Sequence, residues 1–126
     1  MQSKERAILC AGYALDKKAV GARLLEVRGL SSLTDYLLIV SGRSDRQVQA
    51  VAEAVRLGLK NDHDTLPLAV EGMNEGRWVL LDYGDVMVHV FQEPVREFYD
   101  LEGLWREAPE VALPDETQEA QRGADR

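Results

Sequence analysis

Apolar residues recur along this chain with two periods, one helical and one alternating. Lys4 to Lys18 carries Ile8, Ala11 and Leu15 at helical spacing and leaves Asp16, Lys17 and Lys18 outside, which predicts an amphipathic helix ended by Gly21. Arg23 to Val27 alternates loosely around Leu24, Leu25 and Val27 as a strand, GLSS turns the chain, and Tyr36 to Val40 is a continuous apolar strand. Such a run is buried on both faces, hence central in its sheet. Ser44 then offers a helix cap with Gln47 three residues on to complete a capping box, and Val48, Val51, Ala52, Val55 and Leu59 mark one face of the second helix. Asn61 to Pro67 reads as a polar loop, Leu68 to Val70 as a short strand, and Glu71 to Gly76 as a turn bounded by glycines.

The densest signal is Arg77 to Trp105. Trp78 to Leu81 and Val86 to Phe91 flank the turn residues Asp82, Tyr83, Gly84 and Asp85, the pattern of a β-hairpin. A loop of two or four residues puts Trp78, Leu80 and Asp82 beside Met87, His89 and Phe91, with Val79, Leu81, Val86, Val88 and Val90 on the other face. A three-residue loop would place Asp82 among the valines, where an unpaired carboxylate costs several kcal/mol. The even register is therefore expected. Its aliphatic face needs a core, which leaves the face with Trp78, His89 and Phe91 free for another use. Pro94 can open a third helix, followed by Val95, Phe98, Tyr99, Leu101, Leu104 and Trp105, more apolar surface than a short helix needs. From Asp82 to Trp105 the carboxylates Asp82, Asp85, Glu93, Glu97, Asp100 and Glu102 stand against one basic residue, Arg96, so aromatics sit within negative charge that suits a basic protein.

The order helix, strand, strand, helix, strand, strand, strand, helix predicts an α/β domain with a five-stranded mixed sheet. Its first two helices would cover mainly one face, and the third would close an edge or end. With 126 residues, 45% of them hydrophobic and 29% charged, one globular domain is expected over residues 1–106. Glu107 to Arg126 holds six acids and two bases, so −4 of the net charge of −7 falls in a segment whose prolines and few apolar residues predict a disordered acidic tail.

Charge limits the partners. No basic cluster is denser than Lys17, Lys18 and Arg23, which disfavours nucleic acid as the main contact and anionic membranes alike. The lone Cys10 reads as a buried small residue and fits a reducing cytoplasm. The apolar run from Ala7 to Leu15 is interrupted by Gly12 and Tyr13 and lacks a clear cleavage site, so a signal peptide is not expected, and nothing approaches a membrane span.

Chemistry finds little support. Two histidines, His63 and His89, and one cysteine lack metal-ligand spacing, so neither a metal nor another cofactor is expected. Ser41-Gly42-Arg43-Ser44 lies at a strand-to-helix junction but has no phosphate-binding spacing, and reads as a capped turn. Asp82 and Asp85 offer a magnesium pair, which defines an alternative reading as a nucleotidyltransferase-like enzyme; the plainer reading is that they shape and cap the turn or face a cationic partner. His89 has no nucleophile placed for it and reads as a packing or interface residue. Trp78, Phe98, Tyr99 and Trp105 divide between core and interface, since Trp and Tyr dominate protein contacts.

The runs RGLSSLTDYLLIVSGRSDRQVQAVAEAV (Arg28 to Val55), Glu71-Gly72, WVLLDYGDVMVHVF (Trp78 to Phe91) and REFYDLEGLW together resemble the Iojap family, the bacterial ribosomal silencing factors, over about Ala14 to Trp105. The resemblance implies a fold related to nucleotidyltransferases without their catalytic carboxylates. It implies no catalysis, and binding to the large ribosomal subunit through its fourteenth protein, so that the small subunit cannot join and translation is repressed when nutrients are short. The family's interaction surface corresponds here to Trp78, Asp82, His89, Phe98, Tyr99, Leu101, Leu104 and Trp105. Asp100 joins Asp82, Glu97 and Glu102 as a steering charge. Glu26, the longer acidic tail and the loop Asn61 to Thr65 depart from the family pattern, and a homodimer built on the aromatic face is a further possibility.

Overall fold

The computed structural model describes residues 1–113. Helix α1 (Ser3–Asp16) leads to strand β1 (Val20–Glu26), then β2 (Tyr36–Gly42), α2 (Asp45–His63), β3 (Ala69–Glu71), β4 (Trp78–Asp82), β5 (Val86–Gln92), the short helices α3 (Glu93–Tyr99) and α4 (Leu101–Leu104), and β6 (Glu110–Val111). One sheet runs in the order β3-β4-β5-β2-β1-β6. Only β2 and β5 are parallel, joined by the crossover through α2, and every residue of β2 is buried. The central place expected for the continuous apolar run is the one it takes.

The sheet has cores on both faces. Leu24, Leu38, Val40, Val79, Leu81, Val88 and Val90 meet α1 and α2, whose inward residues are Ala7, Cys10, Ala11 and Ala14 and Val48, Val51, Ala52, Val55 and Leu59. Small residues on α1 let it lie close to the sheet. A second cluster, Leu25, Val27, Leu37, Ile39 and Phe91, fills the opposite face, capped by Trp78, Val95, Leu101, Trp105 and Ala108. Alternation along the strands assigns neighbours to opposite faces, so Leu37 and Leu38 serve different cores.

Local signals behave as their chemistry requires. The Ser44 Oγ accepts from the Gln47 N–H at 3.1 Å, while the Gln47 Oε1 reaches past Ser44 to accept from the Arg43 N–H at 2.7 Å. That capping claims the Arg43 amide which an anion at this junction would use. The hairpin pairs Trp78 with Phe91, Leu80 with His89 and Asp82 with Met87, the even register, with Gly84 in a left-handed conformation (φ +87°) at a two-residue loop.

Four expectations need correction. The sheet has six strands rather than five. The chain does not leave the fold at residue 106: β6 pairs with β1 through Leu24–Val111 and Leu25–Glu110, the Glu110 carboxylate accepts from Arg23, and Leu113 is buried. A strand of two residues has no periodicity to read, and a partner supplied from β1 orders it. The rest of the expected tail, residues 114–126, lies outside the described residues. Gly21 does not end α1, which stops at Asp16 with Lys18 left-handed; Gly21 sits inside β1 at a bulge between Val20 and Arg23. The helix α2 continues to His63, through the first three residues of the loop expected at Asn61 to Pro67.

Candidate functional site

The face carrying Trp78, His89 and Phe91 is not bare. The α3–α4 segment lies over it, and Phe91 is fully buried while His89 is 8% exposed. What reaches solvent is the outer end of a ladder of rings. The Trp78 Nε1–H donates to His89 Nδ1 at 3.0 Å. Trp78 packs on Phe91 at 4.7 Å between ring centroids and on Tyr99 at 5.0 Å, and Tyr99 meets Phe98 edge-on at 5.0 Å. Exposure rises along that ladder, to 57% at Tyr99 and 76% at Phe98, with Leu104 at 75%. Isolated exposed apolar residues need no explanation, whereas Phe98 and Tyr99 are exposed together and are seated on the core through Trp78.

Backbone geometry explains the projection. Pro94 falls in the first turn of α3, whose missing amide hydrogen costs nothing there. Asp100 is left-handed (φ 45°), which ends α3 and restarts the chain as α4 at an angle. Phe98, Tyr99 and Leu104 flank that break.

The predicted site residues thus separate. Phe98, Tyr99, Asp100 and Leu104 are exposed; Trp78, Leu101 and Trp105 are half-buried, the last two packing on the second core. His89 is withdrawn from the surface by burial, which lowers its imidazole to about 4 and leaves it neutral at physiological pH. With Nδ1 accepting from Trp78, the neutral ring carries its proton on Nε2. Asp82 is half-buried and accepts from the Gly84 N–H at 2.8 Å, so it shapes the turn. Asp85 accepts from the Ser3 hydroxyl at 2.8 Å and pairs with Arg6, tying α1 to the hairpin tip. Asp82 bonds within its own turn and Asp85 bonds α1, so the two carboxylates are committed to different partners. Among the described residues no three His, Cys, Asp or Glu side chains gather as a metal would need. Burial pushes the Cys10 thiol up to about 12, with the nearby Arg6 opposing, which keeps it protonated and inert.

Charge around the patch is also divided. Glu102 is claimed by Arg96 through two hydrogen bonds of 3.0 and 3.1 Å and by Arg23 at 3.2 Å, and the Arg96 guanidinium, with Arg23 behind it, holds its carboxyl below the usual range. Glu93, Glu97 and Asp100 are exposed and have no ion pair among the described residues.

One residue was not singled out from sequence. Leu30, 51% exposed, lines a depression with Leu104 and Trp105, so the turn after β1 extends the apolar surface. Leucines at 30 and 33 within an otherwise polar GLSSL turn were the available signal.

A six-stranded mixed sheet with a helical layer on one face, and exposed aromatic residues among carboxylates on the other, defines a small α/β domain. The chain belongs to the family described as ribosomal silencing factor during starvation, whose model matches residues 1–126. It is 40% identical over 109 residues to the ribosomal silencing factor of Bacillus subtilis, covering 86% of this chain and 92% of that one. It is 35% identical over 118 residues to the chloroplastic Iojap protein of Zea mays, covering 89% of this chain and 48% of the maize protein. A crystal structure of a Chromobacterium violaceum protein superposes with a TM-score of 0.81 at 34% identity, covering 90% of this chain and 93% of that chain. One from Bacillus halodurans gives 0.77 at 38%, covering 87% and 99%. No helix among the described residues is long and apolar enough to cross a membrane.

Proposed function

We propose that this chain represses translation by occupying the face of the large ribosomal subunit on which the small subunit docks, bound there through the fourteenth protein of the large subunit. The observation that carries this reading is the exposed set Phe98, Tyr99 and Leu104, rooted in the core through Trp78 and bordered by the unpaired carboxylates Glu93, Glu97 and Asp100. A rigid domain on that face excludes the small subunit by volume alone, so no bond need be made or broken. A specific complex requires only about 800 Å² from each partner. The free carboxylates complement a basic ribosomal protein and speed encounter, and the aromatic rings supply the affinity. Asp82, His89 and Glu102 act behind the surface by holding the turn, Trp78 and α4. The fold is read as a nucleotidyltransferase relative whose hairpin carboxylates serve structure, and the chain as acting in the cytoplasm.

The test is binding of purified large subunits by the wild type and by Tyr99→Ala. Tyr99 is mostly exposed, so its truncation is expected to leave the sheet and its cores folded. Loss of binding by folded Tyr99→Ala supports the reading, and undiminished binding refutes the placement of the contact.

A further inference from the structure

Neither α3 nor α4 contributes a fully buried side chain, although together they carry the patch. Val95 and Leu101 give them partial purchase on the second core, Tyr99 packs on Trp78, and the polar attachment centres on the guanidinium of Arg96. Arg96 in α3 is only 13% exposed in its side chain. Its Nε and Nη2 donate to the two oxygens of Glu102 in α4, and its Nη1 donates to the buried Ser41 Oγ of β2 at 2.8 Å. Glu102 in turn accepts from Arg23 of β1. The backbone leaves room for this: a side chain at Gly21 would begin 3.0 Å from Arg96 Nη1. A planar fork with fixed donors is what a joint between a helix, a second helix and a strand requires, and lysine lacks it.

We propose that Arg96 is the positioning residue of the docking patch: by tying α3 to α4 and both to β2, it sets the angle at which Phe98, Tyr99 and Leu104 are presented. The inference rests on the proposed function. Arg96 itself is turned inward and contacts no partner. Short helices with little buried surface lie at the low-stability end of a fold, so losing the joint loosens them while the sheet persists.

The test compares the full chain with Arg96→Met, Arg96→Lys, Tyr99→Ala and Glu97→Gln for affinity to purified large subunits across a salt series, alongside the indole N–H resonance of Trp78. Arg96→Met is expected to bind about tenfold more weakly with its sheet amides still protected, its salt dependence not reduced and the Trp78 resonance shifted as Tyr99 moves; Arg96→Lys recovers only part of the affinity. Glu97→Gln, an exposed charge, is expected to reduce the salt dependence instead. If Arg96→Met does not fold, Ser41→Ala removes only the strand contact and is expected to weaken binding two- to threefold. Wild-type affinity in folded Arg96→Met, or in folded Ser41→Ala where that variant replaces it, overturns the inference alone. A fall in salt dependence like that of Glu97→Gln also overturns it, by making Arg96 a direct contact. Failure of the wild type to bind at all overturns the proposed function with it.

Discussion

Acid should weaken this fold through His89, in a direction set by the burial of its ring. Burial lowers the folded imidazole to about 4, against about 6.5 in an unfolded chain. Between those values the unfolded state binds the proton and the folded state refuses it, so the stability contributed by neutral His89 is complete above about pH 6.5 and is lost as pH falls toward 4. The gap of about 2.5 units corresponds to about 3 kcal/mol, of which about 2.5 kcal/mol is gone at roughly pH 4.5. With only 8% of His89 exposed, solvent screening takes little from that figure. Protonation also puts a hydrogen on Nδ1, facing the Trp78 N–H that it formerly accepted. The control is His89→Gln, which keeps an acceptor for Trp78 and does not titrate. Urea unfolding of both proteins from about pH 7.5 down to about 4.5 isolates the histidine, because other acid-labile groups are common to the two. The difference between them should narrow with a slope approaching about 1.4 kcal/mol per pH unit in mid-window. Parallel loss of stability in both proteins would refute the burial argument.

Tyr99→Ala should cost about 2 kcal/mol or more of large-subunit affinity, about thirtyfold in Kd, with little change in thermal stability. Trp78→Ala should lose both, since its ring also packs on Phe91; titration calorimetry and thermal melts separate the two cases. Ser44→Ala removes the cap of α2 and should lower stability by about 1 kcal/mol in urea unfolding without altering affinity. Gly72→Ala should destabilise the fold by several kcal/mol, because Gly72 is left-handed (φ +79°) and a Cβ would lie 2.1 Å from the Trp78 carbonyl oxygen; near-wild-type stability there would contradict the packing of this turn against β4.

Much of this architecture is legible where a residue has one tolerable place. Asp82 cannot stand among valines, which fixes the hairpin register; the unbroken run Tyr36 to Val40 needs cover on both faces, which places β2 in the middle; Ser44 and Gln47 announce the start of α2. The second core was less legible, because Val95, Leu101 and Trp105 are spread over two helix fragments too short for a period. The return of Leu101 and Trp105 onto that cluster follows the break at Asp100, a left-handed residue that no hydrophobic period announces. The aromatic set was found from its residue types and neighbours, and its division into buried and exposed members required the fold. The joint at Arg96 joins residues 96, 102 and 41, a separation no local pattern encodes.

The central claim is exclusion by volume, and sedimentation of purified ribosomal subunits under joining conditions tests it most directly. With the chain added, large and small subunits should sediment apart with the chain on the large one, and Tyr99→Ala should restore the joined particle. Joined ribosomes that carry the bound chain, or subunits that associate equally well in its presence, would contradict the account.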